Sequence, residues 1–109
     1  MERMRMVEIK SQPTYFVAFL KTRFTSIDEV KAKMPDALAT HLSRSNELHR
    51  LGKVLMAGAF RSNPGESVTT MAVFYSREDA EEYVRGDPFV INGMVSDWHI
   101  EEWASILRE

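Results

Sequence analysis

The stretch from Ala37 to Phe60, ALATHLSRSNELHRLGKVLMAGAF, contains a helix, a glycine stop and an apolar strand in direct succession. On a wheel of about 3.6 residues per turn, Ala37, Leu38, Leu42, Leu48 and Leu51 form an apolar stripe. His41 falls within that stripe, whereas Arg44, Asn46 and Glu47 point elsewhere, as a solvated face should. Gly52 suits the position just past the helix, and Arg50 in the last turn suits the negative end of its dipole. Lys53 to Phe60 (KVLMAGAF) then reads as a strand.

Working back toward the N-terminus, Thr14 to Arg23 (TYFVAFLKTR) is rich in aromatic and branched residues and has the composition of a buried strand. Pro13 separates it from a lead-in over residues 1–13, where Val7 and Ile9 offer at most a small strand. Ser26 is a helix N-cap, with Glu29 three residues on completing a capping box. Pro35 cannot donate a helical hydrogen bond, so the helical region from Ile27 to Leu51 divides into a short piece over 27–34 and a main helix with Pro35 in its first turn.

Toward the C-terminus, Asn63-Pro64-Gly65 marks a turn, and Val68 to Tyr75 (VTTMAVFY) a third strand that forms a hairpin with the second. Ser76 caps a second main helix with acids in its first turn, and Gly86 ends it. Asp87-Pro88-Phe89-Val90 opens a turn or small helix that Gly93 closes, and Met94 to Trp103 is the fourth strand, with Trp98 and Ile100 on one face. The order strand, helix, strand, strand, helix, strand is the ferredoxin-like βαββαβ pattern of the α+β class, with an antiparallel four-stranded sheet in one domain over residues 14–109.

Composition narrows the function classes. At 109 residues the chain has the length of one domain and can bury a core unaided. Lys+Arg 14 against Asp+Glu 16 gives a net charge of -2, without the basic excess of a nucleic-acid surface. An RNA-binding module of this topology would also carry a basic Gly-aromatic pattern on a central strand, which is missing. Cysteine is absent, which removes disulfides, thiol catalysis and thiolate metal sites and fits a reducing compartment. Residues Met1 to Lys10 lack the apolar core of a secretory signal, and no apolar run approaches a bilayer span, so a cytoplasmic protein without membrane contact is expected.

The topology brings two residues 46 apart in sequence toward one another. The start of the first main helix and the end of the second lie at the same end of the sheet, which places His41 near Asp87. A carboxylate that accepts from one imidazole nitrogen fixes the tautomer and leaves the other nitrogen to exchange a proton with a substrate. Pattern alone favours plainer roles: a satisfied core histidine for His41, and a turn starter before Pro88 for Asp87.

His49 reads as a surface group, and His99 lies on the fourth strand opposite Trp98. No short ligand spacing joins the three histidines, so no metal site is expected. Gly58 interrupts an apolar strand, either as a bulge or tight packing position or as a place where a ligand approaches backbone. The 61–66 turn lacks the features of a phosphate loop. Trp98 and Trp103 are core or interface anchors, and the seven methionines are gap-fillers or the lining of an adaptable pocket.

These residues resemble the YCII-related family. The likeness rests on His41-Leu42, Leu48, Gly52, Leu55, Ala57-Gly58, the Glu78-Asp79-Ala80 helix, Asp87-Pro88-Phe89, Gly93 and the final strand, over roughly Tyr15 to Trp103. The resemblance implies a dimeric α+β barrel and a pocket with His41 and Asp87 as its catalytic pair. Gly58, Phe60 and Phe89 are the expected substrate contacts. Relatives that eliminate chloride from a chlorinated hydroxyhydroquinone, and muconolactone isomerases of similar fold, imply proton transfer on small ring compounds. The sequence departs from the family at two places: Leu38-Ala39-Thr40 precedes the histidine where many relatives have Arg-Pro-Ala, and Phe60 stands where proline often follows Ala-Gly.

The expectation is a cofactor-free isomerase or eliminating lyase that binds a small molecule and pairs as a homodimer through an apolar, helix-free sheet face. The alternative is a non-catalytic small-molecule-binding or accessory dimeric protein.

Overall fold

The structure, a computed structural model, describes residues 13–107, so the strand expected at Val7 and Ile9 lies outside the described residues. Its elements are β1 (Thr14–Thr22), α1 (Ile27–Lys33), α2 (Pro35–Arg50), β2 (Met56–Ala59), β3 (Thr69–Phe74), α3 (Arg77–Arg85), α4 (Pro88–Ile91) and β4 (Val95–Ala104). The strands form one antiparallel sheet in the order β2-β3-β1-β4. This is the ferredoxin-like α+β arrangement, with β1 paired on one edge to β3 and on the other to β4. Among the described residues no helix is long and apolar enough to cross a membrane.

Alternation along β1 divides the sheet. Phe16, Ala18 and Leu20 face the helices and pack with Ala72 and Phe74 of β3, Trp98 and Ile100 of β4, and Ala80, Tyr83 and Val84 of α3. Tyr15, Val17 and Phe19 face the other way, where β3 places Met71 and Val73, and β4 places His99 and Trp103, directly beside them. A smaller cluster of Phe24, Val30 and Phe89 closes the end of the sheet below α1 and α4. Local signals set the helix ends. Ser26 Oγ accepts from the Glu29 amide at 3.0 Å, and Glu29 reaches back to the Thr25 amide at 2.7 Å, one residue earlier than in the usual capping box. Pro35 opens α2, and Gly52, at φ 77, reverses the chain after it.

Three local expectations change. First, β2 is four residues rather than eight. Residues 51–54 lie outside the sheet, where Val54, 3% exposed, is drawn into the core and its carbonyl accepts a hydrogen bond from His49 Nδ1 at 2.9 Å, and the Leu55 amide donates to Val73 of β3 at 2.8 Å. His49 is therefore an anchored group, although it lies at the surface. Second, Gly58 is no bulge. The β2–β3 register is unbroken from Met56 to Ala59, and a Cβ at Gly58 would meet nothing. Third, the inward face of α2 is narrower than the stripe read in the sequence and includes polar residues. Met34, Ala37, Leu38, His41, Arg44, Ser45 and Leu48 are half-buried, whereas Leu42 and Leu51 are 52% and 53% exposed.

Arg44 belongs to this inward face and not to the solvated one. Its guanidinium donates to the carbonyls of Glu82 and Tyr83, both at 2.8 Å, at the C-terminal end of α3. The carbonyls run short of helical donors there, although that of Glu82 also accepts from the Gly86 N–H at 3.1 Å, and the helix dipole favours a cation. The same guanidinium lies 5.6 Å from the centre of the Tyr83 ring and rests against Gly86, where a Cβ would collide with it. Gly86 has an ordinary right-handed backbone at φ -93, so its requirement for glycine is steric. The contact locks α2 to the end of α3, immediately before Asp87.

Burial raises the pKa of the Tyr83 phenol. The nearby Asp87 carboxylate adds to the rise, while the hydrogen bond with Ser45 and the charge of Arg44 oppose it. The folded state thus holds this proton more tightly than the unfolded chain does. Its contribution to stability is complete below about pH 10 and declines as pH rises toward the folded value. Denaturant melts from pH 8 to 11 should show this decline, and Tyr83→Phe should flatten it.

The clasp at Arg44 predicts coupling. Arg44→Met and Gly86→Ala should each cost about 1–2 kcal/mol through lost carbonyl hydrogen bonds. The double variant should cost clearly less than the two single losses together, because both remove the same contact. Urea unfolding of the four proteins measures this directly.

Candidate active site

The clasp places His41, one turn before Arg44, opposite Asp87, the residue after Gly86. His41 Nδ1 lies 2.5 Å from Asp87 Oδ1. Asp87 is 3% exposed and its second oxygen, Oδ2, accepts from the backbone N–H groups of Phe89 at 3.0 Å and Val90 at 3.4 Å. The residue that begins α4 as its N-cap is thus also the partner of the imidazole, and Pro88 behind it supplies the fixed φ of a first helical position. One carboxylate oxygen serves the helix and the other the histidine.

The chemistry of that pair follows from what each atom can do. A carboxylate oxygen accepts, so Nδ1 of His41 carries the proton of the bond, and Nε2 of the neutral ring is left as an acceptor. The His41 ring sits 5.4 Å from that of Phe89, which meets Phe24 edge-on at 5.7 Å. These aromatic contacts hold the ring from one side. Its side chain is 28% exposed, so the imidazole is reachable while its partner is enclosed.

No residue of α2 is fully buried, because a cavity of about 650 Å³ separates its inward face from β2 and the neighbouring part of β3. His41, Asp87, Gly58 and Phe89 all line this cavity. Most of the remaining wall is apolar, with Leu38, Val54, Met56, Met71 and Ala72 among it, and the polar groups gather on the α2 side. Of the five residues expected in the site, only Phe60 lies elsewhere. It is 46% exposed and borders a smaller depression beside the Asn63-Pro64-Gly65 turn, while its amide still donates to the Thr69 carbonyl of β3 at 2.9 Å. Gly58 lines it through its backbone, because its register with Met71 would direct a Cβ toward the helix-free face.

Ser45 and Tyr83 also line the cavity and were not singled out from the sequence, and so do Asn46, read as solvated, and His49, read as a surface group. Ser45 had one usable signal, its position four residues after His41 and so on the same helical face. Tyr83 had none beyond helical spacing. His99 is remote from the site, on the opposite face of the sheet, stacked on Phe19 at 5.1 Å and facing Glu101 at 3.3 Å. Among the described residues no three His, Asp or Glu side chains gather as a metal-ligand set.

Known proteins share this fold. The structure resembles the 5-chloro-2-hydroxyhydroquinone dehydrochlorinase of Burkholderia phenoliruptrix AC1100, solved in complex with 2,5-dihydroxybenzoquinone, with a TM-score of 0.58 and 20% identity over 82% of this chain and 92% of that one. It also resembles a protein of unknown function from Nitrosomonas europaea, with a TM-score of 0.56 and 15% identity over 91% and 96% of the two chains. A dimeric protein of ferredoxin-like fold and unknown function from Bacteroides fragilis NCTC 9343 follows, with a TM-score of 0.50 and 10% identity over 86% and 98%. At these identities the likeness establishes the fold alone. No curated protein matches the sequence. The profile of the YCII-related domain matches residues 14–104, which is most of the chain and all four strands, and the protein therefore belongs to the YCII-related family.

Proposed function

We propose that the protein is a small-molecule enzyme in which His41 acts as general acid or base and Asp87 orients it. The observation that carries this reading is the 2.5 Å contact between His41 Nδ1 and Asp87 Oδ1 at the wall of an apolar cavity. A buried carboxylate fixes the tautomer, and Nε2 then takes a proton from a bound substrate and returns it elsewhere. The reaction type that uses such a pair alone is isomerisation or elimination on a small ring or hydroxylated compound. The likeness to the dehydrochlorinase supports that direction, since that enzyme is complexed with 2,5-dihydroxybenzoquinone, a hydroxylated ring.

The same reading includes a homodimer. The sheet face away from the helices carries a row of aromatics in contact, Tyr75 with Tyr15 at 5.9 Å and Tyr15 with Trp103 at 6.0 Å. Tyr75 and Trp103 are 58% and 53% exposed. A contiguous apolar sheet face is the kind of surface that a second copy covers. The Bacteroides fragilis protein of the same fold is described as dimeric.

Two measurements test these points. A panel of hydroquinones with and without chlorine, followed by absorbance and by chloride release, should reveal a turnover that His41→Ala lowers by about 10²-fold or more. Asp87→Asn should also lower it substantially, although asparagine can still cap α4 through its amide oxygen. Full activity in both variants would remove the acid/base assignment. Sedimentation at micromolar concentration should give the mass of two chains, and Tyr15→Glu should shift it to one.

A further inference from the structure

The cavity has a second polar station that the His41–Asp87 pair does not use. Ser45 lies one turn beyond His41 on the same face of α2, about 6 Å further along its axis, and its Oγ is 2.9 Å from the Tyr83 hydroxyl. Burial decides which of the two donates. Tyr83 is 4% exposed, with its ring 5.3 Å from that of Phe74, and Ser45 is the partner of its hydroxyl. If Ser45 donated, the phenolic proton would be buried without an acceptor, which is the costlier arrangement. Tyr83 therefore donates, and burial and the charge of Asp87 both favour its protonated form.

The Ser45 proton is then available. A helical serine often returns its proton to the carbonyl four residues back, but among the described residues Ser45 makes no hydrogen bond besides that with Tyr83. Ser45 lines the cavity, so its proton can be directed there. The O–H of Ser45 is strengthened as a donor because its oxygen already accepts from a phenol. One wall of the cavity thus offers a proton acceptor, His41 Nε2, and one turn away a polarised proton donor, Ser45 O–H. Lys31 is the one lysine or arginine among the lining residues, which fits a ligand that is neutral before it reacts.

We propose that Ser45, held by Tyr83, binds the carbonyl oxygen of the substrate and stabilises the enolate that forms when His41 removes a proton from carbon. This rests on the acid/base reading of His41 and Asp87 and deepens it by naming a substrate class: neutral ketones, enones and quinone-type rings with an acidic C–H. The C–H proton moves to Nε2 and its electron pair becomes the new C=C bond, while the C=O π pair moves onto oxygen beside Ser45. Collapse of the enolate restores C=O. Either the proton returns from Nε2 to a different carbon, giving an isomer, or a leaving group departs from the adjacent carbon with its bonding pair. Ser45 is the catalytic residue in this step, and Tyr83 positions it. Stabilisation of this type acts where charge develops, in a site from which water is largely excluded.

The test uses 4-nitrophenol as an enolate mimic, with binding to the intact protein followed by its phenolate absorbance and by protein amide shifts. The wild type should bind at millimolar concentration or better. Ser45→Ala and Tyr83→Phe should each weaken binding about tenfold, the scale of one hydrogen bond to an anionic oxygen, and Ser45→Thr should restore it. Circular dichroism confirms that each variant is folded, and the milder Ser45→Ala carries the test should Tyr83→Phe disturb the core. Equal binding by wild type, Ser45→Ala and Tyr83→Phe, or no binding by the wild type, overturns the proposal. If only His41→Ala weakens binding, the Ser45 station falls and the acid/base reading stands. If Ser45→Ala weakens it and His41→Ala does not, the station stands, and the turnover of His41→Ala and Asp87→Asn decides the acid/base reading.

Discussion

The enclosed carboxylate of Asp87 is the constraint on which the rest of the site depends. A carboxylate that is 3% exposed must have its oxygens occupied by donors, and here the donors come from two places. The backbone N–H groups of Phe89 and Val90 belong to its own short helix, while the imidazole of His41 arrives from 46 residues away. The long-range contact forms only if α2 and α3 meet at a defined angle and register. The guanidinium of Arg44 on the last carbonyls of α3 fixes that register, and Gly86 leaves the space for it. The geometry of the pair is thus set by a cation at a helix end, one turn away.

The cavity follows from the same arrangement. Because α2 is held at its Arg44 face to the end of α3, it does not settle onto β2. The β2 wall opposite it consists of small and flexible residues, Met56, Ala57, Gly58 and Ala59, which do not fill the gap. An apolar space of this size beside a reachable imidazole is the usual form of a small-molecule site. The stability lost by leaving α2 incompletely packed is offset by the dense cluster on the other part of the sheet, where Ala18, Phe74, Ala80 and Val84 are completely enclosed.

Much of the fold was legible in the sequence. Pro35, Ser26, Gly52 and Gly86 mark helix boundaries through backbone chemistry that acts within a few residues, and the branched and aromatic runs mark β1 and β3. The βαββαβ order follows from those elements, and with it the convergence of His41 on Asp87, since the antiparallel path of the chain returns both helix ends to one side of the sheet. The pairing was visible as a possibility; the resemblance to a family weighed more than the pattern itself.

What the sequence by itself determined was the set of elements, their order and the two partners, because capping, alternation and chain direction are local or topological properties. Only the tertiary structure decided which residues of α2 turn inward. The apolar stripe was read with Leu42 and Leu51 as its two edges, but both are exposed, while Arg44 and Ser45 turn inward to hydrogen-bond the carbonyls and phenol of α3. It also shortened β2, through the pull of Val54 into the core, and left Phe60 outside the cavity. Ser45 and Tyr83 became neighbours for the same reason: a hydroxyl pair 38 residues apart has no signature along the chain and exists only once two helices have been fixed against each other.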